Sequence, residues 1–242
     1  MGKEQDLLQK YFREVPLFKH FPPKHADLIL RDFTIRRARK GEILVMQDEE
    51  GTELFIILQG RARVVLLGGE GEEFILSDLG EGDFFGEVSL IDAEPRSATV
   101  VAETNVVVAA LRRQRLLAAI RDEPQIALDL LVSLTGIVRR ATEREERFAF
   151  LDVRERLCRF FSGEMADESA VEREGLVRVA KRTHKDLASR IGTSRESVTK
   201  ALKTLMREGL LKEEGDALLV SPRICEDGER RPLRGADHAT GR

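Results

Sequence analysis

Apolar and polar positions alternate with a period near two through residues 33–111, in short runs punctuated by glycine. The runs 42–46, 54–58, 61–67, 73–77, 97–102 and 105–111 predict an antiparallel β-roll or barrel. Gly60 lies between two of them, as a tight hairpin turn requires, and Gly41, Gly51, Gly80 and Gly82 mark further turns. Residues 3–12 and 24–32 read as flanking helices. After Pro124 the period changes. Ala127, Leu130, Leu134, Ile137, Ala141, Arg144, Phe148 and Leu151 follow at alternating spacings of three and four, which is a coiled-coil seam. Its charged flanks, among them Arg139, Arg140, Glu143 and Arg147, favour a seam between two copies of the chain over a helix packed on its own domain. Past Leu151 the pattern predicts a second, helix-rich unit, with helices over 153–164, 183–191 and 195–208 and a closing hairpin near 210–220. Residues 224–242 are rich in charge, glycine and proline, lack apolar periodicity, and read as a disordered tail.

A chain of 242 residues, 42% hydrophobic, can bury two modest cores. Its net charge of only −3 means that any nucleic-acid surface must arise by local segregation of charge. Residues 178–212 show that segregation, with ten Lys/Arg against three Asp/Glu. Two cysteines, Cys158 and Cys225, are too few for a disulfide framework, an iron–sulfur cluster or a cysteine zinc site, and they fit a reducing cytoplasm. Cys158, beside Leu157, Phe160 and Phe161, reads as a buried small apolar residue. The chain opens on polar residues with no apolar signal core, and no apolar run approaches a membrane span, so no membrane partner is expected.

The basic segment has the layout of a helix-turn-helix. Thr183-His184-Lys185-Asp186 has the form of a capping box, and Leu187, Ala188 and Ile191 supply the buried side of a short helix. Gly192 gives the turn, and Ser194 is placed to cap the next helix. On that helix Val198, Ala201, Leu202 and Leu205 form a core stripe, at roughly 240–340° from Arg195. Arg195, Glu196, Thr199, Lys200 and Lys203 fall within about 0–140° on the other face. Arginine or lysine can donate to the guanine O6/N7 edge and glutamate can accept from cytosine N4, so this is a recognition helix for double-stranded DNA. Thr183, Ser194 and Ser197 complete the expected DNA-contacting set, and the hairpin after Gly209 would form a wing over the backbone.

A second constellation lies in the β-rich region. Residues 82–90, with Phe85-Gly86-Glu87-Val88, lead to Arg96-Ser97. Glycines let backbone turn closely around a ligand, and a short helix after Gly86 would aim free N–H groups at an anion. Arg96 can hold a phosphate bidentately, Ser97 can donate to it, and Glu87 can accept from a sugar hydroxyl. The bland alternative is a β-bulge at Gly86 and a surface ion pair between Glu87 and Arg96.

Phe85-Gly-Glu…Arg96-Ser-Ala, Phe148-Ala-Phe-Leu-Asp-Val153 and Thr193-Ser-Arg-Glu-Ser-Val198, in this order and spacing, resemble the cyclic AMP receptor branch of the Crp/Fnr transcription regulators over about residues 10–222. The resemblance implies an α+β fold: a cyclic-nucleotide-binding, jelly-roll-like β-roll over 1–124, a dimerisation helix and hinge over 125–152, and a winged helix-turn-helix over 153–223. It implies that Glu87 takes the ribose 2′-hydroxyl, that Arg96 and Ser97 hold the cyclic phosphate, and that Gly86 gives backbone contacts. Phe150 and Asp152 match the hinge. Arg195, Glu196 and Lys200 stand where the family reads a palindromic TGTGA-like site, with lysine in place of the usual arginine at the third position, which keeps the charge and loses the fork. It further implies a homodimer through residues 125–152, RNA polymerase as a partner, and allosteric control by a cyclic nucleotide.

Where the cyclic AMP receptor has threonine and then serine beside the base, this chain has Ala141 and Thr142, so one hydroxyl is missing. Cyclic AMP, cyclic GMP and cyclic di-GMP remain open, in that order. No N-terminal cysteine cluster is present for iron–sulfur, and His20, His25, His184 and His238 are scattered, which argues against haem or another metal. A rival reading is a constitutive DNA-binding regulator with a vestigial pocket. An enzyme gated by the roll is set aside, because the residues after Leu151 are spent on the helix-turn-helix and carry no catalytic motif.

Overall fold

The computed structural model describes residues 2–19, 21–69, 72–166, 171–173 and 175–224. The expected tail past Ile224, with Cys225 and His238, lies outside the described residues, as does His20. The chain divides into two compact units, residues 1–142 and 143–242.

In the first unit, α1 (Gly2–Glu14), a 3-10 turn (Pro16–Phe18) and α2 (Pro23–Leu30) precede eight strands among the described residues. They are β1 (Thr34–Ala38), β2 (Ile43–Val45), β3 (Glu53–Gln59), β4 (Ala62–Leu67), β5 (Glu73–Leu79), β6 (Phe84–Phe85), β7 (Thr99–Ala102) and β8 (Val106–Arg112). A short helix α3 (Glu87–Asp92) sits between β6 and β7, and α4 (Arg113–Asp122) and α5 (Gln125–Phe150) follow β8, with the last turns of α5, from residue 143, counted in the second unit. The strands pair antiparallel in two sheets, ordered β1-β8-β3-β6 and β2-β7-β4-β5.

The sequence pattern missed β1, β6 and α4. In β1 the charged pair Arg36-Arg37 hides the alternation; as an edge strand paired with β8 it takes its hydrogen bonds from the fold and buries little. β3 shows why the roll closes. Leu54, Ile56 and Leu58 join one core with α1, α2 and the start of α5, whereas Phe55 and Ile57 join Val45, Phe85, Val100 and Val108 in another, so successive side chains feed opposite faces. Phe12 and Phe18 stack at 4.6 Å and pin α1 to the 3-10 turn.

The chain's own core takes up part of the expected seam on α5. Ile126 and Leu130 are buried in the first unit's own core, with Leu134, Ile137 and Ala141 half-buried on the same side. With Ile126 at zero these lie within about 0–80° around the helix. The exposed apolar residues Leu128, Leu131, Val132 and Val138, with Thr142, fall at about 120–240°. Of the predicted three-four stripe, Leu130 enters the first unit's core, and a second stripe about one residue out of register is exposed.

The second unit contains α6 (Val153–Met165), β9 (Val171–Arg173), β10 (Leu176–Ala180), α7 (His184–Ile191), α8 (Arg195–Arg207), β11 (Leu211–Glu214) and β12 (Ala217–Val220). Its sheet, β11-β12-β10-β9, is larger than the hairpin that the sequence predicted: β10 pairs with both β12 and β9. Strand character there depends on partners on both sides, which a short Val-Arg-Val alternation does not announce. Leu157, Cys158 and Phe161 of α6 are buried with Leu187, Ile191, Val198, Leu202, Leu205 and Val220. α5 ends at Phe150, and Asp152 begins α6 with a full capping box. Its carboxylate accepts from Glu155 N at 2.8 Å, and its own N–H donates to the Glu155 carboxylate at 2.9 Å.

Candidate nucleotide site and nucleic-acid interface

β6 delivers Phe85 into the roll, where its ring stacks on Phe55 at 5.0 Å, so the side chain is core and only its backbone borders the site. Gly86 follows with φ 88°, a left-handed conformation that glycine adopts without strain. A Cβ there would lie 2.6 Å from Arg96 Nη1 and 2.9 Å from the Glu53 carbonyl oxygen, so both space and dihedral require glycine. The bulge reading is therefore replaced: Gly86 is the N-cap of α3.

Arg96 is 7% exposed and held in place before any ligand arrives. Nη1 donates to the Gly86 carbonyl at 2.8 Å and to Ser89 Oγ at 2.7 Å, and Nη2 donates to the Glu53 carbonyl at 2.7 Å. Three of its five N–H groups are thus spent on orientation, leaving Nη2 and Nε each with an N–H for an anion. Glu53 also pairs through its carboxylate with Arg36 at 2.6 Å, which anchors the strand that positions Arg96. Glu87 is likewise 7% exposed, so the surface ion pair is excluded. Burial pushes its carboxyl above the usual range, against the opposing pull of its own backbone N–H and of the Arg96 and Arg140 charges. Burial also lowers the Arg96 guanidinium, offset by the carboxylates of Glu53 and Glu87. Val88 is half-buried and Ser97 exposed; Ala141 is half-buried on the inward side of α5, and Thr142 is exposed on the outward side.

Besides Glu53, three contributors escaped the sequence reading. Ser89, one turn into α3, orients Arg96. Gly51 keeps the approach open, since a Cβ there would lie 2.3 Å from Ser89 Oγ and 2.5 Å from Arg96 Nε. Its role is space, whereas the sequence suggested only a turn. Arg140, read only as a charged flank of the seam, is close enough to Glu87 to favour its ionised form. The i,i+3 spacing from Gly86 hinted at Ser89; Gly51 and Arg140 carried no signal, because their neighbours come from distant segments.

In the second unit Thr183 caps α7 by accepting from Asp186 N at 3.1 Å. The Asp186 carboxylate turns to Arg190 at 2.9 Å and Arg182 at 3.6 Å, so the complete capping box lies at Asp152. α7 stops at Gly192, φ 63°, and Ser194 caps α8 by accepting from Ser197 N at 3.2 Å. Val198, Leu202 and Leu205 are buried; Arg195, Glu196, Lys200 and Lys203 are exposed; Ser197 and Thr199 are half-buried. The turn is clamped from α6: Arg156 Nη1 donates to the carbonyls of Ile191 at 2.8 Å and Gly192 at 3.1 Å, and its guanidinium lies 5.1 Å from the Phe148 ring centroid. The hairpin β11–β12 turns through Gly215.

Among the described residues no three His, Cys, Asp or Glu side chains gather as a metal would require, and no helix is long and apolar enough to cross a membrane. The sequence profile of the cyclic nucleotide-binding domain matches residues 35–123, and that of the Crp-like helix-turn-helix domain matches residues 155–222. The cyclic AMP receptor protein of Thermus thermophilus is 32% identical over 197 residues, covering 81% of this chain and 88% of that one. The CRP-like cAMP-activated global transcriptional regulator of Mycobacterium tuberculosis is 30% identical over 196 residues, covering 81% and 85%. The solved structure of the c-di-GMP-responsive global regulator CLP of Xanthomonas campestris superposes with a TM-score of 0.72 at 23% identity, over 83% of this chain and 99% of that one, a likeness of fold. With a nucleotide-type roll in one unit and a helix-turn-helix in the other, this chain belongs to the Crp/Fnr family of DNA-binding transcription regulators that carry a cyclic nucleotide-binding domain.

Proposed function

We propose that the protein is a homodimeric transcription regulator whose affinity for a palindromic TGTGA-like DNA site is set by a cyclic nucleotide, with cyclic AMP first and cyclic GMP or cyclic di-GMP as alternatives. The observation that carries this reading is the buried Arg96, fixed by Gly86, Ser89 and Glu53 beside the buried Glu87. Burying an arginine and a carboxylate is costly, and a structural role would be served better by apolar residues. A cyclic phosphate would take the N–H groups left on Arg96 Nη2 and Nε, with Ser97 as a further donor. A ribose hydroxyl would satisfy Glu87. Phe85, Gly86 and Val88 would border the sugar through backbone, and Ala141 and Thr142 would face the base.

The uncovered stripe on α5, Leu128, Leu131, Val132 and Val138, supports pairing with a second copy, and Thr142 on that stripe would then reach the nucleotide of the partner. Dimerisation would place two α8 helices about one DNA turn apart. Arg195, Glu196 and Lys200 would read bases. Thr183, Ser194, Ser197, Thr199 and Lys203 would line the same surface, and Phe150 and Asp152 mark the hinge. RNA polymerase is the partner expected once the site is occupied.

Fluorescence anisotropy of a palindromic TGTGA-type duplex, at fixed salt, tests the reading with no nucleotide and with each of the three. One nucleotide should tighten DNA binding at least tenfold, and Arg96→Ala should abolish that effect while leaving the nucleotide-free affinity unchanged. Equal affinity under all conditions would identify a constitutive binder with a vestigial pocket.

A further inference from the structure

His184, the first residue of α7, has no part in the contacts described so far, yet it is tied to the recognition helix. Its Nδ1 lies 2.8 Å from Thr199 Oγ1. That hydroxyl also lies 2.9 Å from the Arg195 carbonyl, one turn back along α8. A hydroxyl has one hydrogen, and a carbonyl can only accept. Both contacts are made together only if Thr199 donates to Arg195 O and His184 donates from Nδ1–H. The neutral ring has one N–H, so Nε2 is then a bare acceptor. An acceptor cannot bind a phosphate oxygen. Protonation adds the missing donor at Nε2 and a positive charge, without disturbing the contact to Thr199.

Thr199 belongs to the polar face of α8 with Arg195 and Lys203, so a duplex lying on that face meets His184 at its edge. We propose that His184 is a proton-coupled contact to the DNA backbone: proton uptake at this ring accompanies DNA binding, and affinity falls as pH rises through the histidine range. This deepens the DNA-binding role and leaves the nucleotide site aside. The surrounding charges are Arg182, Lys185 and Asp186 at the start of α7, Glu164 of α6 paired with Arg182, and Arg195, Glu196, Lys200 and Lys203 along α8. A phosphate at this edge favours the protonated ring by direct charge attraction.

The test is DNA affinity of the full chain between about pH 5.5 and 8 at constant ionic strength, on the palindromic duplex and on a scrambled one, with the proposed nucleotide present. Wild type should bind roughly five- to tenfold more weakly at the upper end on both duplexes, since phosphate contacts are blind to sequence. His184→Asn keeps a donor toward Thr199 and cannot titrate; its profile should be flatter by that factor, which also separates His184 from nearby carboxylates. Thr199→Val removes the acceptor that fixes the tautomer, so the neutral ring can present Nε2–H and the pH dependence should shrink while affinity at the upper end rises. A purely structural contact would instead lower affinity in both variants equally at every pH. A wild-type slope retained in His184→Asn overturns the proposal, whereas failure of every form to bind any duplex would overturn the DNA-binding role beneath it.

Discussion

Glu87 and Arg96 are two charges kept out of water by a domain that could have used apolar residues in their places. The raised proton affinity of Glu87 gives this a measurable sign. Its folded-state value lies above the unfolded one, so folding favours the protonated form. That contribution is full below the ordinary carboxylate value of about 4.3 and is lost as pH rises from there through the folded value. Ligand-free wild type should therefore lose thermal stability across that window relative to Glu87→Gln, which removes the titration. A bound nucleotide should narrow the gap, because a ribose hydroxyl hydrogen-bonds the ionised carboxylate. Parallel Tm profiles for the two proteins would show that Glu87 is solvated after all. The glycine at 86 and the pair Glu87 with Arg96 were legible in sequence because they follow one another closely; Gly51 and Glu53, which complete the grip, were not, since strand pairing brings them there.

Helix ends followed local chemistry well. Thr183, Asp152 and Ser194 each precede a helix and bond the backbone N–H three residues on, a contact within one turn that composition can specify. The face a helix presents is another matter. α5 has two apolar stripes, and periodicity found the one that includes the buried Leu130, while Leu128, Leu131, Val132 and Val138 are exposed; the proposed dimer would use them. Replacing Leu131 and Val138 together by glutamate should convert a dimer to a monomer in sedimentation at micromolar concentration, with the roll still folded by circular dichroism. A dimer that survives would place the interface elsewhere. Arg156→Ala should expose the Ile191 and Gly192 carbonyls, cost about 1–3 kcal/mol of stability in the second unit and weaken DNA binding on any sequence.

If nucleotide and DNA sites are coupled, the coupling is reciprocal: whatever factor the nucleotide adds to DNA affinity, saturating DNA must add to nucleotide affinity. Titrating nucleotide into the protein with and without duplex should return the same factor, and a mismatch would mean that the two titrations follow different species. The architecture was readable in advance because each part satisfies its own chemistry nearby. Alternation marks strands, capping residues start helices, and a basic helical face announces nucleic acid. Among the features that were not readable are the sheet formed by β9 and β10, the side of α5 that is exposed, and the His184–Thr199–Arg195 chain across the helix-turn-helix. Each depends on which distant segments meet. A sequence carries its hydrogen-bonding and apolar groups with it, but whether a given group is buried, bonded or left for a partner is settled when remote segments pack.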